Sequence, residues 1–96
     1  MRERDPEGRF AYNIKRWYGI TLDEYNSLLK EQGGGCAICH STEPAGKRVK
    51  RFSVDHDHRT GKVRGLLCNL CNHLLGCARD DLQLLVNAVA YLERVA

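Results

Sequence analysis

The chain has 96 residues, 15 Lys and Arg against 12 Asp and Glu, five cysteines, and a formal net charge of +3. This is the length of one small domain with a limited core, and its charge is only mildly basic. An odd cysteine count excludes a fully paired intrachain disulfide framework, and no apolar run is long enough to span a membrane. With no apolar leader at the N-terminus, a reducing cytoplasm is the expected setting.

Residues 1–17 read as a basic and aromatic N-terminal arm or short helix ahead of a single domain over 18–96. Arg9, Lys15 and Arg16 alternate there with Phe10, Tyr12 and Trp17. Such an arm would grip DNA, or trail as a tail with its tryptophan tucked into the core. Thr21-Leu22-Asp23-Glu24 has the spacing of a capping box, and Leu22, Tyr25, Leu28 and Leu29 then recur at helical intervals. Gly33-Gly34-Gly35 ends that helix, because three glycines lose too much backbone freedom to continue it.

Cys36-x-x-Cys39 follows, then a polar loop to Arg51. Phe52 and Val54 alternate with polar residues as in a strand. Arg59-Thr60-Gly61-Lys62 has turn composition, and residues 63–67 read as the returning strand of a hairpin. Cys68-x-x-Cys71 closes it, and a helix is expected from about Asn72. In the last segment Asp80 is the expected N-cap, with Gln83 three residues on. Leu82, Leu85, Val89 and Leu92 form one apolar stripe. The stripe is expected to pack in the core against the Thr21 helix, with closure of a dimer as the alternative. Cys77 is expected to be a buried thiol and His73 a surface histidine.

Two CxxC turns bring four thiolates to one tetrahedral ion, so Cys36, Cys39, Cys68 and Cys71 are the expected ligands of a structural Zn²⁺. All four positions are filled by protein, which leaves no open site for chemistry. Such an ion contributes about 10–16 kcal/mol of apparent binding free energy, a large share for a core this small. Lys47, Arg48, Lys50 and Arg51, with Arg59, Lys62 and Arg64, form the expected phosphate-binding cluster; the bland alternative is a solvated basic loop.

The residues between the knuckles, Asp55, His56, Asp57 and His58, are then free for another task. A histidine has a reference pKa of about 6.5 and suits general-base work. A hard cation takes oxygen ligands, which Asp55 or Asp57 and the amide of Asn72 would supply. In a regular strand Asp55 and His56 point to opposite faces, so they serve one phosphate only if the strand ends or bulges there. Otherwise these residues make turn hydrogen bonds or substitute for a cysteine at the zinc.

The strings YGIT, YNSLLKEQGGGCAIC, VDHDHRTGKVRGLLCNLCN, LLG and AVAYL, in this order and spacing, resemble the phage recombination endonuclease VII branch of the HNH (ββα-metal) nucleases. The resemblance runs from Tyr18 to Leu92. It implies an α+β fold: a small zinc-stapled ββα-metal domain with flanking N- and C-terminal helices. The implied activity is divalent-metal-dependent hydrolysis of DNA phosphodiesters, as nicking or double-strand cleavage. Asp55 and Asn72 would hold Mg²⁺ or Mn²⁺, His56 would be the general base, and His58 an auxiliary residue near the scissile phosphate. DNA is the implied partner, with a homodimer or a phage complex in the host cytoplasm as the assembly. The chain departs from junction-resolving members at Leu75, where they carry a glutamate, and in ending at Ala96, where they continue into a dimerisation region. Four-way-junction resolution is therefore not expected. The competing expectation is a non-catalytic zinc-stabilised nucleic-acid-binding module.

Overall fold

A computed structural model describes residues 6–44 and 51–94. The order of elements is α1 (Pro6–Tyr18), α2 (Leu22–Glu31), β1 (Ser53–His56), β2 (Val63–Leu67), α3 (Asn69–Cys77) and α4 (Leu82–Arg94). The strands form a two-stranded antiparallel hairpin, and α1, α2 and α3 all pack against it. The fold is thus small α+β.

The capping box of α2 is present in both halves. The Glu24 amide donates to Thr21 Oγ1 at 3.1 Å, and the Thr21 amide donates to Glu24 Oε1 at 2.8 Å. At the other end Gly33 and Gly34 take φ of +80° and +84°, and the Gly34 amide reaches back to the Leu29 carbonyl at 2.8 Å. Two left-handed residues in succession are inexpensive only for glycine. Just before them Gln32 ties the helix end to the hairpin. Its Oε1 accepts from the Leu66 amide at 2.8 Å, and its Nε2 donates to the carbonyls of Leu66 and Gly35 at 3.0 and 2.8 Å. The side-chain amide stands in for a third strand along the outer edge of β2.

The core cluster consists of Ile14, Tyr25, Cys36, Phe52, Val54, Leu66, Leu67, Cys68 and Cys71. Tyr25 is 2% exposed and donates its hydroxyl to the Phe52 carbonyl at 2.9 Å, and burial pushes its pKa up. Phe10 meets the Tyr25 ring edge-on at 4.9 Å and carries the Arg51 guanidinium on its face at 4.4 Å.

Four expectations are corrected here. The described part of the N-terminal segment is a helix that places Ile14 in the core, while Trp17 is neither tucked in nor on a trailing tail. The N-cap of α4 is Asp81, whose Oδ1 accepts from the Leu84 amide at 3.2 Å, one residue later than expected. No residue of α4 is buried, so the stripe of Leu82, Leu85, Val89 and Leu92 does not pack against α2. Arg79 and Asp80, both at positive φ, turn the chain between α3 and α4, and periodicity defined a face without defining what covers it. Cys77 is exposed as well, with its sulfur 3.4 Å from His73 Nε2.

Candidate functional site

Cys36, Cys39, Cys68 and Cys71 converge so that their sulfurs all lie within 4.8 Å of one another, and they could hold a structural metal ion such as zinc. The first pair sits on a tight turn. The Cys36 amide donates to the Ser41 carbonyl at 2.9 Å, and the His40 amide donates to the Cys36 carbonyl at 3.0 Å. A Cβ on Gly35 would lie 2.6 Å from the His40 carbonyl oxygen and 2.7 Å from that of Ser41, so only glycine fits. The second pair opens α3, with Cys68 as its N-cap and its sulfur accepting from the Cys71 amide at 3.4 Å.

The thiols do not share charge evenly. Burial pushes the Cys36 thiol up, but hydrogen bonds led by the backbone amide of Cys68 outweigh it and bring it down to about 6. Burial, with the neighbouring thiols of Cys68, Cys36 and Cys39, pushes Cys71 up to about 12. One thiolate makes the next unfavourable, which is the condition a bound cation relieves.

Beside β1 lies a cleft of about 330 Å³. Asp55, His56, His58 and Asn72 all line it, and α1 forms the facing wall. The geometric conflict between adjacent strand residues is resolved by a bulge. Asp55 pairs with Gly65 but His56 pairs with Val63, so Arg64 is the extra residue of β2, and β1 ends at His56. A bulge re-aims side chains, which lets neighbours that would alternate face one cleft. The amide of Asn72 arrives from the first turns of α3, whose start is set by Cys68.

The two aspartates of the segment separate. Asp57 is a turn residue, its Oδ1 accepting from the amides of Arg59 and Thr60 at 2.7 and 3.3 Å, which hold its carboxyl below the usual range. Asp55 is buried, 9% exposed, and accepts two hydrogen bonds from Arg64: Nε to Oδ2 at 2.7 Å and Nη2 to Oδ1 at 3.0 Å. Arg64 is exposed, and these bonds tie its guanidinium to Asp55 across the hairpin. Its Nη2 also donates to Asp80 Oδ1 at 3.2 Å, and Asp80 Oδ2 is 3.3 Å from His58 Nδ1. Arg64 first, then His58, hold the Asp80 carboxyl below the usual range.

His56 is half-buried between two rings, that of Tyr18 at 5.3 Å and that of His58 at 4.8 Å. Neither of its ring nitrogens is hydrogen-bonded among the described residues. Arg59 and Lys62 are exposed beside the hairpin turn, Arg51 lies over Phe10, and Lys47, Arg48 and Lys50 fall outside the described residues. Leu75 packs against the core cluster. The sequence did not mark Asp80, Asn13 or Tyr18 as neighbours of the site. Asp80 was read as a cap, and nothing local signals that α1 would border the cleft.

Comparison with known proteins gives matches along most of the chain. The profile of the recombination endonuclease VII family matches residues 11–94. The Gene 59 protein of Mycobacterium phage D29 is 54% identical over 78 residues, covering 80% of this chain and 46% of that protein. The Gene 59 protein of Mycobacterium phage L5 is 53% identical over 76 residues, covering 78% and 44%. The chain thus spans about half the length of these curated relatives. No solved structure matches it significantly. No helix among the described residues is long and apolar enough to cross a membrane.

Proposed function

Because the chain belongs to the recombination endonuclease VII family, which points to a DNA endonuclease, we propose that it is an HNH-type, divalent-metal-dependent phosphodiesterase whose reaction takes place in the cleft of Asp55, His56, His58 and Asn72. The observation that supports this reading is that all four residues line one cavity, at the point where the hairpin register shifts.

His56 is the general base. Its imidazole faces the cleft and is held by ring contacts, so a nitrogen is available to take a proton from water. The Asp80 carboxylate at Nδ1 fixes the His58 ring, which serves as an auxiliary residue beside the scissile phosphate. Asp55 and Asn72 would hold Mg²⁺ or Mn²⁺. The donor set fits: a carboxylate offers about four lone-pair positions, Arg64 uses two, and a hard cation takes one or two protein oxygens and keeps water on its remaining positions. A divalent ion there supplies positive charge for the pentavalent phosphate and the leaving 3′ oxygen. Attack by water on phosphorus, with departure of that oxygen, leaves 5′-phosphate and 3′-hydroxyl ends. The phage origin of the relatives agrees with action on DNA in the host cytoplasm.

The test is cleavage of supercoiled plasmid with Mg²⁺ or Mn²⁺. Nicked or linear product is expected from the wild type, with loss in chelator and a fall of about 10²–10⁴-fold in His56→Ala. Plasmid left intact by folded, metal-loaded protein, on branched and linear DNA alike, would leave a binding module as the surviving reading.

A further inference from the structure

Trp17 is the sole tryptophan of the chain, and it sits where a core residue would be expected. Phe10, Asn13, Ile14 and Trp17 follow one another at i, i+3, i+4 and i+7 along the inward stripe of α1, and all four line the cleft. Ile14 is 3% exposed and Phe10 packs on the core, so the helix cannot roll to hide the next turn. Trp17 nevertheless remains 64% exposed. Its ring meets that of Tyr18 edge-to-face at 6.5 Å, and Tyr18 in turn lies against His56. An aromatic path therefore runs from an open indole to the proposed base. Lys15 and Arg16, in the same turn, put positive charge beside it.

An open π-face, flanking cations and continuity with a phosphate site together describe a nucleotide-shaped ligand. We propose that Trp17 is a nucleobase-stacking residue, taking the face of an unstacked base next to the phosphate held in the cleft. This rests on the nuclease reading above and adds a substrate requirement: a base beside the cut leaves its helical stack to meet the indole. Stacking of this kind tolerates any base, because each has a π-face, and one such contact is worth about 5- to 150-fold in affinity.

The single tryptophan makes the test direct, since intrinsic fluorescence reports one position. The zinc-loaded full chain, without added Mg²⁺ or Mn²⁺, would be titrated with a forked duplex bearing oligo-dT arms. A matched fork with abasic arms of the same length and charge is the control, and anisotropy of labelled DNA reads binding independently. Quenching by the dT fork alone is expected. Trp17→Ala should weaken that fork by about fivefold or more while leaving the abasic fork unchanged, and Trp17→Phe should restore most of the loss. Binding with equal quenching by both forks, or with none, would overturn the stacking role and leave the nuclease reading intact. No binding of either fork would overturn both.

Discussion

At Asp57 and Asp55 two carboxylates two residues apart do different things, because one meets backbone amides of its own turn and the other meets a guanidinium across the hairpin. Asp57→Ala should lower the midpoint of a thermal or urea melt only slightly, since its turn is solvated, and leave nicking rates within a few-fold. Asp55→Ala should instead abolish metal-dependent nicking. Asp80 acts through its neighbours, bridging Arg64 and His58 without lining the cleft. Asp80→Ala should slow plasmid nicking by roughly 10- to 100-fold, as removal of a partner that orients an active-site side chain does. DNA affinity should change little, so the effect appears in kcat and not in KM.

At the scale of elements, α1 and α4 exchange the importance their sequences suggested. The apolar positions of α1 are interrupted by Arg and Lys, yet its Ile14 is core; α4 has the cleaner stripe, yet Leu82 and Val89 are 74% and 55% exposed. Ile14→Ala should therefore cost about 2–5 kcal/mol, whereas Leu82→Gln or Val89→Gln should shift monomer stability by less than about 0.5 kcal/mol. Equal losses from both helices in urea melts would mean that α4 is covered in solution. Gln32, which periodicity treats as the residue after a helix, carries the edge of β2. Gln32→Ala strands the buried Leu66 amide and should cost about 1–3 kcal/mol.

Across the whole molecule, three of the nine residues in the buried cluster are cysteines of the four-thiol group. The other six, Ile14, Tyr25, Phe52, Val54, Leu66 and Leu67, make a small centre for the hairpin and helices, with partly buried residues such as Phe10 and Leu75 around it. A structural ion worth about 10–16 kcal/mol is comparable to the whole net stability of an ordinary domain, about 5–15 kcal/mol. Chelation strong enough to strip the site should unfold the chain, seen as lost far-UV ellipticity, and Zn²⁺ should restore it. Cys68 belongs to the four-thiol group and also caps the helix bearing Asn72, so the cleft should be lost with the ion.

What the residues alone determined were features closed by near neighbours: the capping box at Thr21, the glycine stop, the paired CxxC turns, the hairpin, and the run of Asp55 and His56 between the knuckles. Each is specified by spacing within a few residues, where backbone geometry leaves few alternatives. The tertiary structure decided which aspartate faces the cleft, that Asp80 reaches Arg64 from beyond α3, that α1 walls the site with Trp17 open to it, and that the α4 stripe is left bare. A period in the sequence specifies which side chains share a face; what that face meets depends on where the chain turns. Here the β2 bulge and the left-handed pair at Arg79 and Asp80 made those turns.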